Sequence, residues 1–340
     1  MQKLQTYFTH SMIKNIRGIE GDDIPYHLGL LGYDASTMIS DRYYFFPLND
    51  HYNTHGPDWL AETTAIAKNK DVVVFYDLVN TGDYEHNNFK RFIWDFDHPC
   101  KVYLTVNQSP KLDLGPTIKI IQWDFMWNRI KAYYTEPIPN YLHLHHYSMN
   151  KYKSIKLDAS YLRSRKFLSM LGREYGYRKP YYEFVLPYNN DGYISNRSRG
   201  ITLEQEQVLG AYNPVPNKFY EDSYFSTYVE SNCSQRDLIH LTEKTFEPLI
   251  KGHAILPFTN PGAIKRLTDM GFKMVNFIDY AFDSTEDVNI RFAQVQEQFL
   301  KLLEINLDQA YKENYAVFEH NQNCINTIPY DTRILEIFNV

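Results

Sequence analysis

"HLTEKTFEPLIKGHAILPFTNPGAIKRLTDMGFKMVNFI", His240 to Ile278, is the stretch whose reading decides the fold. Thr242 suits a helix cap, because its hydroxyl can accept from the unpaired N–H groups of a first turn. Phe246, Leu249 and Ile250 then form an apolar face, and Gly252 marks the stop. Pro248 stands six residues past the cap, where its missing N–H predicts a bend. "HAILPF" follows as a short buried strand. Asn260, Pro261 and Gly262 read as a cap and a first-turn proline for a second helix, with Ile264 and Leu267 inward and Gly271 as its end. "KMVNFI", Lys273 to Ile278, reads as the next strand. Helix, strand, helix, strand is the pattern of a parallel, doubly wound α/β sheet.

Upstream, "RKFLSML" (Arg165 to Leu171) reads as another strand, and "RKPYYEFVLPY" as a helix burying Tyr181, Phe184 and Val185. "NNDG" is a turn before "YIS". Nearer the start, "DVVVFYDLV" (Asp71 to Val79), "KVYLTVNQ" (Lys101 to Gln108) and "TIKIIQWD" (Thr117 to Asp124) are strand candidates. "HGPDWLAETTAIAKN" and "NNFKRFIWDFD" are the helices beside them. The pattern weakens over residues 134–162, where Pro137 and Pro139 stand close together. The junction is placed there, giving domains 1–155 and 156–340, each an α/β layer. Val288 to Cys324 reads as two helices.

At 340 residues, 44% hydrophobic and 22% charged, the chain has the composition of a folded protein. A net charge of -6 argues against wholesale nucleic-acid binding and leaves local basic patches open. Cys100, Cys233 and Cys324 are far apart and in no CxxC spacing, so a disulfide framework or zinc site is not expected, and a cytoplasmic setting fits. No apolar run reaches the length of a membrane span. GxGxxG, GxxxxGK[ST] and HExxH are all missing, which removes support for dinucleotide, P-loop and zinc-protease readings.

In doubly wound sheets ligands bind at the carboxyl ends of strands, beside helix N-termini. "IHLTEKT" occupies such a position. Lys244 can neutralise a phosphate, Thr242 and Thr245 can donate hydroxyls, and Glu243 can accept from ribose or sugar hydroxyls, which together describe a nucleoside-diphosphate pocket. The same residues also suit a solvated helix start, with Glu243 and Glu247 favouring the dipole and Lys244 extended along the surface.

"DLIHLTEKTFEPLIKGHAILPFTNPGAIKRLTDMGF" resembles the donor-binding segment of GT-B glycosyltransferases related to α-1,3-fucosyltransferases. There a Thr-Glu-Lys helix start precedes an apolar strand and a Pro-Gly turn. "RKFLSMLGREYGYRKPYYEFV" with "DGYIS" is similar to the upstream part of the same domain; the likeness covers Arg165 to Asp283. The resemblance implies two Rossmann-like domains with a donor and acceptor cleft between them. The acceptor side would be residues 1–155 and the nucleotide-sugar side residues 156–340. It implies a hexosyl or pentosyl transfer from a nucleoside-diphosphate sugar to a hydroxyl, inverting and with no obligatory metal or other cofactor. Glu243 would bind ribose or sugar hydroxyls, Lys244 the diphosphate, and Arg173 or Arg178 would add a second positive charge. His240 stands where those enzymes often carry tyrosine, a departure that bears on base or sugar identity. The acceptor is left open among a glycan, a small molecule and modified nucleic acid.

An inverting transferase needs a general base. Asp77, ending the strongest early strand, is the first candidate, with Glu85 and Asp83 in "NTGDYEHN" next; an aspartate there also suits a loop cap. Three further signals compete. Asp95-x-Asp97 matches the metal-holding pair of GT-A transferases, or is an acidic turn before Pro99. His143, His145 and His146 in "HLHHY" suit a metal site or plain surface histidines. "NKYKSIKLDASYLRSRK" (Asn150 to Lys166) interleaves basic residues with tyrosines, as a nucleic-acid-binding element does. A transferase-like fold that binds without turnover is the remaining reading, against which intact Glu243, Lys244 and the arginines argue.

Overall fold

The run VVVFYD forms strand β2 (Val72–Asp77), and its alternation sorts it between two cores. Val72, Val74 and Tyr76 join one apolar cluster, Val73 and Phe75 another, so both faces of the strand are covered. Burial on both sides is why a parallel strand reads as a continuous β-branched run. The computed structural model describes residues 43–47, 64–65, 67–77, 93, 95–105, 113–135, 155–172, 174–201, 203, 215–230, 233–234 and 238–339. Two compact units emerge, Met1–Arg129 with Tyr330–Val340, and Ile130–Pro329.

The first unit holds β1 (Tyr43–Pro47), β2, β3 (Lys101–Thr105) and β4 (Ile118–Gln122), all parallel and adjacent in chain order. The buried Lys101 ammonium donates to the carbonyls of Ile93 (2.9 Å) and Phe96 (3.0 Å). After β4 the chain enters helix α1 (Phe125–Thr135), within which the two units divide. The chain end returns to the first unit: Ile334 and Ile337 lie fully buried in the β2 core. Burying each contributes roughly 1.5–3 kcal/mol. Asp331 fastens this return, accepting from the Asp124 N–H at 2.7 Å through its carboxylate and from Asn128 Nδ2 at 2.8 Å through its carbonyl.

The second unit has a parallel sheet of β5 (Arg165–Met170), β6 (Gly192–Ser195), β7 (Ser223–Val229) and β8 (Ala254–Phe258), in the spatial order β6-β5-β7-β8. Helices α2 (Arg178–Val185) and α3 (Asn217–Glu221) precede β6 and β7 respectively. Helix α4 (Glu243–Ile250) leads to β8, α5 (Ala263–Met270) follows it, and α6 (Val288–Glu304), α7 (Leu307–Glu313) and α8 (Tyr315–Thr327) close the unit. Phe167 points to one face, meeting Phe299 of α6 with ring centroids 5.0 Å apart; Leu168 and Met170 point to the other, against Phe219 and Tyr220 of α3. The architecture is mixed α/β with parallel sheets, as in Rossmann-like folds. Among the described residues no helix is long and apolar enough to cross a membrane.

Several expectations are corrected. Lys273 to Ile278 is not a strand. Side-chain amides of α8 and of the residue before it take its backbone groups instead: Asn321 exchanges hydrogen bonds with both backbone groups of Lys273 (2.8 Å each), and Asn314 Oδ1 accepts from the Asn276 N–H at 3.1 Å. Asn260 does not cap α5; that helix begins after Gly262 (φ 85°), and Asp283 caps it from a distance, accepting from the N–H groups of Ile264 and Lys265 at 3.0 Å. The final segment forms three helices, because Asn306 caps α7 and Asn314 separates α7 from α8. Strands β1 and β7 were not anticipated.

Candidate functional site

From β5 the chain goes to β6 on one side, then recrosses to β7 on the other and continues outward to β8. The connections therefore diverge between the carboxyl ends of β5 and β7, the place where open α/β sheets bind ligands. The loops leaving those two strands carry the sequence candidates Arg178, His240, Thr242, Glu243, Lys244 and Thr245.

Arg178 opens α2 and is 5% exposed. Its Nε donates to the Val229 carbonyl at the end of β7 (3.1 Å), so one side chain ties the two diverging loops together. The guanidinium lies 4.3 Å from the centroid of the Tyr175 ring. The preceding Tyr177 is held by its hydroxyl, which donates to Asn289 Oδ1 at 2.8 Å, and by its ring, packed on Phe258 and Phe292.

Across the divide, Thr242 caps α4 as expected, accepting from the Lys244 N–H at 3.2 Å. The residue that organises this start is one the sequence reading missed, Glu230. It directly follows β7 and is 2% exposed. Its carboxylate accepts from the Thr242 N–H (2.9 Å), the Thr242 hydroxyl (2.7 Å) and the Thr245 hydroxyl (2.7 Å). Tyr228 in turn donates to Thr245 Oγ1 at 2.9 Å. The hydroxyls of Thr242 and Thr245 are thus committed inward and hold the helix start to the strand end. A sequence signal for Glu230 existed: an acidic residue immediately after the aromatic run "SYFSTYV".

Beyond this anchored turn, Glu243 and Lys244 form an ion pair and keep 23% and 17% of their side-chain surface open. Burial alone would raise the Glu243 carboxyl, but the Lys244 ammonium, with a smaller contribution from Arg178, holds it below the usual range. Burial raises Glu230, Glu243 adding to the effect and Lys244 opposing it. Burial pulls His240 down to about 4 against the field of Glu243, with Lys244 and Arg178 pushing the same way, so its imidazole is neutral at physiological pH. Arg178, His240, Glu243 and Lys244 therefore act on one another electrostatically, two cations beside a carboxylate and an uncharged imidazole. Arg291 supports the rim, donating to the carbonyls of Thr259 (2.8 Å) and Cys233 (2.9 Å).

Arg173, Glu85, Asp83 and the three histidines of "HLHHY" lie outside the described residues. Asp77 ends β2 with its backbone opposite Thr105, and its side chain is likewise outside the description. Asp95 and Asp97 are both exposed, Asp97 standing 3.9 Å from Lys68. In the basic stretch, Arg163 stacks on Tyr311 (3.8 Å) and Tyr224 (5.2 Å), and Lys166 donates to the Leu303 carbonyl at 2.7 Å. Those two cations have partners within the fold.

No family model matches the chain, and no curated protein does. Among solved structures it is similar to a crystal structure of alpha1,3-fucosyltransferase, with 15% sequence identity, 83% of this chain and 90% of that chain covered, and a TM-score of 0.35. The likeness is distant, and the chemistry of the site rests on its own side chains.

Proposed function

We propose that the second unit binds a nucleoside-diphosphate sugar and that the chain is a glycosyltransferase in a two-domain, GT-B-like arrangement. The observation that carries this reading is the convergence of Arg178 and the Glu243–Lys244 pair where the sheet connections diverge, each fixed from beneath. A diphosphate needs concentrated positive charge, and a sugar or ribose needs an acceptor for its hydroxyls. Lys244 can exchange its pairing with Glu243 for a phosphate oxygen, which leaves the Glu243 carboxylate to accept from ribose or sugar hydroxyls. Thr242 and Thr245 act from below, through Glu230, rather than as ligands. His240, uncharged, serves as a hydrogen-bonding group that does not compete for the anion.

The reaction assigned to this site is inverting transfer. The acceptor oxygen attacks the anomeric carbon, the bond from that carbon to the diphosphate oxygen breaks, and the nucleoside diphosphate leaves with the electron pair. Arg178 and Lys244 stabilise the charge that develops on it. Asp77 is the proposed base for the acceptor proton, with Glu85 as the alternative, and no metal is required by the scheme.

Thermal-shift and calorimetric titration with UDP-, GDP- and dTDP-sugars tests the reading, since a ligand of the native state raises its melting temperature. One donor class should bind. Lys244→Gln should weaken it about tenfold to a hundredfold, the equivalent of one charge-assisted hydrogen bond, and should also lower the melting temperature of the free protein, because Glu243 loses its ion-pair partner. Stabilisation by none of these donors would overturn the proposal.

A further inference from the structure

The loop joining β5 to α2 is fastened at both ends and carries a large ring that stays partly exposed. Gly172 (φ 61°) and Gly176 (φ 52°) bracket it in conformations that glycine adopts most readily. Glu174 is held on one side: its N–H donates to Ser198 Oγ at 2.8 Å, and its carboxylate accepts from Asn196 Nδ2 at 2.8 Å and Arg199 Nε at 2.5 Å. On the other side Arg178, itself tied to the Val229 carbonyl, lies over the Tyr175 ring. Between these anchors Tyr175 remains 45% exposed. A single exposed aromatic needs no explanation by itself. This one sits at the divergence of the sheet connections, against the guanidinium assigned to the diphosphate.

We propose that Tyr175 is the platform on which the base of the nucleoside diphosphate stacks, so that it reads the nucleoside while Arg178 and Lys244 hold the phosphates. The proposal rests on the donor-site reading above. Every nucleobase presents a π face, and stacking on an aromatic side chain contributes to the affinity of each base. The base of a nucleoside diphosphate is one ribose removed from its phosphates, a separation that adjacent side chains such as Tyr175 and Arg178 can serve together. The cation over the ring also polarises it, which favours a fixed ring orientation.

Calorimetric titration of the full chain with GDP, UDP, dTDP and inorganic pyrophosphate tests this. Tyr175→Ala should weaken the best-bound nucleoside diphosphate tenfold or more and leave pyrophosphate affinity unchanged, whereas Tyr175→Phe should keep both. Tyr175→Leu, which keeps an apolar side chain but has no π system, should behave as the alanine variant does and replaces it if that variant fails to fold. Unchanged nucleoside-diphosphate affinity in the alanine or leucine variant would overturn the stacking role. Equal loss of pyrophosphate would overturn it too, since Tyr175 would then act only by placing Arg178. Failure of the wild-type chain to bind any nucleoside diphosphate would instead bring down the donor-site reading on which the proposal rests.

Discussion

Glu230 offers the sharpest test of how the site is built. Glu230→Ala removes a buried carboxylate that accepts from the Thr242 N–H, the Thr242 hydroxyl and the Thr245 hydroxyl. The two hydroxyls can turn toward other acceptors; the backbone N–H cannot, and a buried donor left unpaired costs about 1–3 kcal/mol. Each lost bond to a charged acceptor is worth about 1.5–3 kcal/mol, partly offset because the carboxylate no longer has to be held out of water. The net expectation is a loss of about 3 kcal/mol, roughly a hundredfold in the ratio of folded to unfolded chains. Glu230→Gln keeps the shape and one acceptor oxygen but turns an amide NH2 toward a hydroxyl, so about 1–2 kcal/mol is expected. All four tryptophans lie in Met1–Arg129, so far-UV circular dichroism and tyrosine emission, rather than tryptophan emission, should follow the urea transition of the second unit. Donor affinity, measured well below that transition, should fall in both variants because Glu243 and Lys244 lose their fixed base. A wild-type urea midpoint in the alanine variant would refute the energetic reasoning. A destabilised variant with wild-type donor affinity would refute the link between this anchor and the site.

Two other outcomes follow from the same structure. Gly192 opens β6 with no room for a side chain, since a Cβ there would stand 2.6 Å from the Phe167 ring, which Phe225 and Phe299 confine; Gly192→Ala should cost about 1–3 kcal/mol, read as a lower melting temperature. Glu247, one turn along α4 from Glu243, is 4% exposed and is raised from its ordinary 4.5 to about 7 by burial, against the pull of Lys251. The folded chain therefore holds this proton more tightly than the unfolded one, and stability should fall as pH rises from about 4.5 to about 7, by up to about 3 kcal/mol. Glu247→Gln should flatten that slope in urea midpoints measured across the window, and a variant curve parallel to wild type would rule the assignment out.

Much of the second sheet was legible because its strands and caps follow local rules. "AILPF" is apolar throughout, "RKFLSM" carries the adjacent apolar pair Phe167 and Leu168 with Met170 beyond, and Thr242 caps the helix that its position announces. β7 escaped notice because Ser223, Ser226 and Thr227 interrupt its apolar run. The Ser223 hydroxyl donates to the nearby Phe219 carbonyl, while the other two are satisfied by residues distant in sequence: Ser226 by His253 Nδ1 at 2.9 Å and Thr227 by the Leu256 carbonyl at 3.0 Å. Lys273 to Ile278 deceived in the opposite direction. Its composition suits a strand, but the sheet ends at β8 and the side-chain amides of Asn314 and Asn321 supply the backbone partners that another strand would have provided.

The same asymmetry runs through the site. Lys244, Glu243 and Arg178 declare themselves because charge next to a helix start is visible one residue at a time. Glu230 does not, since its role exists only once β7 is known to be a strand and its end is known to lie against the first turn of α4. A carboxylate at the amino end of a helix would ordinarily occupy the place of the anionic ligand. Here it draws the Thr242 N–H and two hydroxyls inward, which leaves ligand charge to be met by side chains rather than by the helix terminus itself. Affinity for an anionic donor should therefore depend on Lys244 and Arg178 more steeply than on the helix dipole, and donor affinity that survives removal of both charges would contradict that division of labour.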